Sequence, residues 1–364
     1  MLRFAVLGAG HGGMAMAGHL GLMGFPVRLW ARNPHSLDGV AEAGGVTLAG
    51  AVEGFGTVEA CPDLEAALTG ADTVLVVVPA SAHGELARLC APFLEDGQKV
   101  LLMPGRTAGA IEFVHSLRSA GSKADVLVGE AQTFLYASRR TGPAAARIHG
   151  IKKQVKAAAL PARRTFELLE GIKPAFGQFM PARWIWKTSL DNIGAIFHPT
   201  VVLLNTGWVE TSRGAFRHYM DGISQSVAGF LEQMDAERVA VARALGVGAL
   251  TAREWLTEAY GSTGDSLLEA IQQTQAYWGV GAVDTLDHRY LWEDVPTGLV
   301  PIAELGRACD VPTPLTDTII TLASAICRQD FRKTGRTLRH LGLEGLSPAQ
   351  IARYAMEGDV IDLV

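Results

Sequence analysis

Near the start of the chain, the residues able to do chemistry read Gly8-Ala9-Gly10-His11-Gly12-Gly13. A short apolar run, Leu2 to Leu7, precedes them, and a small-residue apolar stretch, Met14 to Met23, follows. Strand, G-x-G-x-x-G and helix thus come in the order a dinucleotide pocket requires. Gly8 permits the tight turn, Gly10 lets a pyrophosphate approach the backbone, and Gly13 lets the helix pack closely on the strand. The helix N-terminus adds free N–H groups and a partial positive charge. Gly8, Gly10, His11 and Gly13 are therefore the expected phosphate-side contacts. The next strand, Val27 to Trp30, bears on which dinucleotide. An NAD pocket usually closes it with an acid for the ribose 2′-OH. Here it runs into Trp30-Ala31-Arg32-Asn33, and the Arg32 fork suits a 2′-phosphate, which favours NADP(H) over NAD(H).

A second chemical segment is Trp184 to His198. Trp184, Lys187, Asp191, Gly194 and His198 recur at three- and four-residue spacing, which predicts one shared helix face. Gly194 removes a side chain one turn before His198, and Pro199 predicts a kink or break that turns the imidazole into a cavity. A histidine on an otherwise apolar helix fits a satisfied core residue as well as a proton-transfer catalyst. A third segment, Arg289-Tyr290-Leu291-Trp292-Glu293-Asp294-Val295-Pro296, sets two carboxylates among aromatics before a proline. On spacing alone they read as helix-capping carboxylates.

The elements that position these residues fall into two patterns. Val74 to Pro79, Lys99 to Met103 and Ala124 to Gly129 are apolar runs of the kind expected of strands buried on both faces, and Val155 to Leu160 and Phe176 to Phe179 read as final strands. In such sheets the loops at strand C-termini line the ligand crevice, so Pro79 and Gly105 are expected on the nicotinamide side. His83, in the Pro79 loop, reads equally as a surface histidine. Beyond residue 183 the pattern becomes helical. The expected fold is α/β, with an N-terminal Rossmann doubly wound sheet over 1–182 and an all-α domain over 183–364. Other clusters read as structural: Met234 to Arg238 as a helix start, Asp330 to Arg336 as a solvated turn, and His218-Tyr219-Met220, Trp184, Trp186 and Trp292 as core filling.

Composition narrows the function classes. The 364 residues are 48% hydrophobic and 19% charged, ample for two packed cores. A net charge of −5, from 32 basic and 37 acidic residues, argues against nucleic-acid binding. No apolar run approaches the roughly 20 residues of a membrane span, and Leu2 leads straight into a strand rather than a signal segment. Cys61, Cys90, Cys309 and Cys327 lack CxxC spacing, so no disulfide framework or metal site is expected. The expected location is the cytoplasm.

Taken together, the motifs make the chain resemble the opine dehydrogenases, the octopine/nopaline dehydrogenase group. The resemblance rests on Gly8 to Gly13, Val76 to Ala80, Pro104-Gly105 with Gly109, Thr188 through Pro199, and Arg289-Tyr290 with Glu293-Asp294. Thr297 to Pro301, Val311 to Pro314 and Asp330 to Lys333 also match. The resemblance implies an enzyme that condenses an L-amino acid with a 2-oxo acid such as pyruvate and reduces the imine with NAD(P)H to a secondary-amine dicarboxylate. It implies His198 as general acid/base, Asp294 as its orienting partner, and a homodimer. The family pattern carries asparagine where this chain has Gly194, so Asn192 or Asp191 is expected to substitute in polarising the substrate. It also carries an acid where Ala31 stands, which strengthens the NADP(H) reading. Arg139 and Arg289 are candidates for the oxo acid carboxylate. The runner-up is a ketone reductase of the ketopantoate reductase or glycerol-3-phosphate dehydrogenase type, with Lys187 as proton donor. A nucleotide-sensing protein without catalysis is a third reading.

Overall fold

The computed structural model describes residues 1–358, which divide into two compact units. The first comprises residues 1–105, 109–188 and, among the described residues, 354–358; the second comprises 106–108 and 189–353. The boundary expected after residue 182 thus differs from the division seen, which falls between Thr188 and Ser189 and assigns Arg106-Thr107-Ala108 to the second unit.

The first unit carries twelve strands: β1 (Phe4–Leu7), β2 (Val27–Trp30), β3 (Gly45–Gly50), β4 (Gly54–Thr57), β5 (Glu59–Cys61), β6 (Thr73–Val76), β7 (Lys99–Leu102), β8 (Leu127–Ala131), β9 (Tyr136–Gly142), β10 (Ala145–Ile151), β11 (Val155–Leu160) and β12 (Phe179–Pro181). Eight form one sheet in the order β12-β11-β8-β7-β6-β1-β2-β5, parallel except where β11 meets β8. Every residue of β1, β6 and β8 is buried, as unbroken apolar runs between two helical layers should be. The order places β1 between β2 and β6, so the glycine-rich turn leaves the middle of the sheet. The second sheet, β4-β3-β10-β9, was not expected. Its strands mix glycine and arginine with small residues, and only one face is apolar, so they lack the continuous hydrophobicity that marks the others.

The second unit is helical apart from a single Arg217–Gly281 bridge among the described residues. No helix among the described residues is long and apolar enough to cross a membrane. Its core surrounds the apolar helix Ile193–Leu204, which contributes Ile193, Ala195, Ile196, Phe197, Val201, Val202 and Leu203. Met234 to Arg238 is no helix start; it lies within the long helix Gln225–Ala244. There Asp235 and Arg238 are buried together, with Asp235 Oδ1 accepting from Arg238 Nε at 2.8 Å. Arg238 also donates to the carbonyls of Leu190 and Leu250, and Asp235 Oδ2 accepts from the Ala252 N–H at 2.6 Å. The pair therefore ties the long helix to the turn that leads into Ile193–Leu204. Asp330 to Arg336 is likewise no solvated turn: Phe331 and Arg336 are buried, the latter donating to the Thr107 carbonyl at 2.9 Å.

Removing one member of a buried ion pair strands its partner's charge, at a cost of about 3–5 kcal/mol. Asp235→Ala should lower stability by that amount, read as a fall in the denaturant midpoint of the helical unit's transition.

Candidate active site

The phosphate-side cradle lies in the first unit. Gly8 has φ +117°, and a Cβ there would collide with the Val77 carbonyl; a Cβ at Gly13 would collide with the Gly8 carbonyl. Both glycines are thus required by the protein's own packing. Gly10 differs, because nothing lies within 4 Å of where its Cβ would stand. That opening sits at the N-cap of the helix His11–Leu22, which has no side-chain cap and no acid in its first turn. A helix N-terminus with a clear approach is what a pyrophosphate needs, so the residues present fit the nucleotide. Arg140 of β9 holds the cradle's shape. Its guanidinium donates to the carbonyls of Ala9 (3.1 Å), Ser36 (3.1 Å), Gly142 (3.0 Å) and Pro143 (2.9 Å), and its N–H donates to His11 Nδ1 at 3.0 Å. His11 is thereby a strut of the turn. Arg32 stands exposed beyond β2, with the exposed Glu85 at 3.1 Å. Pro79 caps the short turn Ala80–Ala82, and His83 is buried, not on the surface. Gly105 packs against Glu130, whose Oε2 accepts from the Ala110 N–H at 2.9 Å. Glu130 thus anchors both ends of the three-residue excursion 106–108.

The second unit assembles the charged cluster. His198 Nδ1 lies 2.8 Å from Asp294 Oδ2, and Asp294 Oδ1 lies 3.2 Å from Arg106 Nη1. Asp294 is fully buried; the His198 side chain keeps 17% of its surface. The imidazole stacks on Tyr290 at 4.0 Å and 12°. Burial alone would push the Asp294 carboxyl up, but Arg106, then His198, outweighs it and holds it at about 2. The carboxylate therefore stays ionised and accepts the Nδ1 proton, leaving Nε2 as the base. Glu293 stands alongside, 3.4 Å from Arg106 Nε and 3.0 Å from Arg289 Nε. Asp294 caps no helix with its side chain, so the capping expectation fails: a π-helical turn, Val295–Leu299, follows it, and the carboxylate faces His198 instead.

Two expectations about the His198 segment are corrected. Trp184, Lys187, Asp191, Gly194 and His198 do not share one helix. Ile185–Leu190 and Ile193–Leu204 are separate helices, with Asp191 and Asn192 between them. Asp191 Oδ1 accepts from the Leu250 N–H at 3.2 Å, while Asn192 Oδ1 lies 3.4 Å from Arg106 Nη1. Lys187 belongs to the first unit. Pro199 does not end the helix, which continues to Leu204. One lost backbone bond is outweighed by burying this helix in the core. The imidazole's opening comes from Gly194, whose Cβ would lie 3.1 Å from both His198 Cε1 and Arg106 Nη1.

Sequence reasoning missed Arg106. Its signal was available: a lone arginine in an otherwise small-residue strand-end loop, Pro104-Gly105-Arg106-Thr107-Ala108-Gly109. Of the two arginines that were proposed, Arg139 is exposed on β9 of the first unit, and Arg289 serves Glu293. His218, read as core, is buried, with its ring 5.2 Å from Tyr290 and 6.3 Å from His198. Its Nε2 has no hydrogen-bond partner among the described residues, and burial first, then His198 and His288, pushes its pKa down to about 3.

Two family models match the chain. The alpha-helical domain of NAD/NADP octopine/nopaline dehydrogenases matches residues 181–327, and the N-terminus of NAD-dependent glycerol-3-phosphate dehydrogenase matches residues 3–120. An opine dehydrogenase of Arthrobacter sp. (strain 1C) is 39% identical over 97% of this chain and 98% of its own. Among solved structures, octopine dehydrogenase with NADH and L-arginine superposes with a TM-score of 0.80 at 20% identity, covering 99% of this chain and 98% of that one. Yersinopine dehydrogenase with NADP+ bound gives 0.74 at 16% identity, covering 97% and 99%.

A histidine whose folded pKa lies below its unfolded value makes the unfolded state bind more protons. Its contribution is complete above pH 6.5 and is lost as pH falls toward 3. Melting temperature should therefore fall over that window, and His218→Phe should reduce the proton uptake on unfolding by close to one. An unchanged slope in the variant would show that His218 is protonated in the folded protein.

Proposed function

We propose how the residues above carry a reaction from one premise: the chain belongs to the octopine/nopaline dehydrogenase family. It is an NAD(P)-dependent oxidoreductase acting on CH–NH bonds, joining an amino acid to a 2-oxo acid through an imine that is then reduced. The observation that carries a role for its own residues is the His198–Asp294 pair, a buried ionised carboxylate orienting a partly open imidazole.

Asp294 accepts the Nδ1–H, fixes the tautomer and leaves Nε2 as the base. His198 then takes a proton from the substrate ammonium, freeing the lone pair that attacks the carbonyl carbon. That proton returns to the oxygen of the adduct, a second passes to it from the adduct nitrogen, and the oxygen departs as water as the C=N bond forms. Bound NAD(P)H supplies the hydride that reduces the imine carbon. Tyr290, stacked on the ring, keeps water from one face of the imidazole.

The first unit holds the nucleotide through the N–H groups beyond Gly10, with Gly8 and Gly13 shaping the turn and Pro79 and Gly105 in the loops beyond β6 and β7. We assign NADP(H) as the preferred form. No acid follows β2, and Arg32 is engaged by an exposed ion pair, a weak competitor for a 2′-phosphate. The family likeness also supports a cytoplasmic homodimer, which sedimentation of the purified chain and fractionation check.

NADPH oxidation, followed by fluorescence with pyruvate and a panel of amino acids, should require both carbon substrates. Oxidation with the oxo acid alone would move the chain to the ketone reductases. His198→Ala should lower kcat by about 10²–10⁴ while leaving NADPH binding within twofold, and Asp294→Asn should follow the same pattern. For the coenzyme, Arg32→Ala should cut the NADPH-over-NADH ratio of kcat/KM by roughly 10-fold or more; an unaltered ratio would assign the preference elsewhere.

A further inference from the structure

We infer that Arg106 is the anchor for an α-carboxylate of the condensing substrates, received in the space that Gly194 leaves between the guanidinium and His198. The inference rests on the condensation described above and names a residue for its substrate side.

Arg106 is buried, with 10% of its side chain exposed, yet its charge is loosely held. Its contacts with Asp294, Glu293 and Asn192 are 3.2, 3.4 and 3.4 Å, longer than the roughly 2.7–2.9 Å of a well-made charge-assisted bond. Glu293 already has a closer partner in Arg289, at 3.0 Å. All three contacts use Nε and Nη1. A buried guanidinium held only by such long contacts is incompletely compensated for its lost hydration, and an entering anion recovers part of that cost.

The surroundings favour a carboxylate beside the general acid/base. A Cβ at Gly194 would touch Arg106 Nη1 and His198 Cε1 at 3.1 Å each, so the volume its absence leaves open is bounded by both. In a 2-oxo acid the carboxylate is bonded to the reacting carbon, and in an amino acid it is one carbon from the reacting nitrogen. Either one, held by Arg106, brings the reacting atom to the imidazole. The backbone is built for this placement. Arg106 and Ala108 take the left-handed region at φ 59° and 61°, which an L-residue adopts at a cost. Three bonds hold them there: Thr107 N–H to Thr297 O at 3.1 Å, Ala108 N–H to Ser189 Oγ at 2.9 Å, and Arg336 Nη1 to Thr107 O at 2.9 Å. A counterion for Asp294 alone would not need a segment held so tightly.

The test compares each carboxylate substrate with its amide, pyruvate against pyruvamide and the best amino acid against its amide, in wild type, Arg106→Gln and Arg106→Lys. Arg106→Gln should raise the KM of one acid roughly 10- to 100-fold and erase the enzyme's preference for that acid over its amide. The NADPH dissociation constant should stay within twofold, and Arg106→Lys should recover part of the loss. The pair whose preference collapses identifies which carboxylate Arg106 holds. Acid-over-amide preferences that survive in both pairs would overturn the assignment. So would an equal weakening of both substrates and NADPH together with a lowered melting temperature. Should Arg106→Gln fail to fold, Gly194→Ala carries the test, raising the KM of the same acid by filling the receiving space. A wild type that reduces the oxo acid without any amine overturns the condensation reading, and the acid-over-amide comparison still judges Arg106 separately.

Discussion

Asp294 is a fully buried carboxylate with one oxygen on His198 and the other beside Arg106, and much of the helical unit is arranged around keeping it charged. An isolated carboxylate in such a place would take up a proton, because desolvation disfavours the anion. Arg106, His198 and Arg289 together outweigh that penalty. The same constraint accounts for the neighbouring features. A second carboxylate, Glu293, needs its own cation and has Arg289. The segment carrying Arg106 is held in a strained backbone by Thr297, Ser189 and Arg336, residues far apart in the chain.

Beneath that cluster lies a second buried pair, Asp235 and Arg238, which makes no contact with chemistry but fixes the turns at Leu190 and Leu250. Asp191 reinforces the same junction through the Leu250 N–H. These bonds set where the helix Ile193–Leu204 begins, and hence the phase at which Gly194 and His198 emerge from it.

Much of the first unit was legible beforehand. The glycine motif, the buried parallel strands and the acid-free end of β2 are local signals, set by sterics and by burial on both faces. The four-stranded second sheet was not legible, since its one-sided, glycine- and arginine-rich strands resemble loops. Arg140 belongs to that sheet, so its bonds to the carbonyls of Ala9 and Ser36 went unseen with it.

The sequence by itself determined the class of chemistry: a dinucleotide turn whose glycines are demanded by backbone contact, and a histidine and an aspartate recognisable through family resemblance. Only the tertiary structure decided which polar groups meet. It set His198 Nδ1 2.8 Å from Asp294 Oδ2 across 96 positions, as the family resemblance implied, and added Arg106 from a distant loop. The physical reason is that periodicity reports which face of an element is buried, whereas charge pairing in a core depends on which elements are brought together there. That depends on the packing of the whole helical unit, through bonds between residues that no local pattern connects.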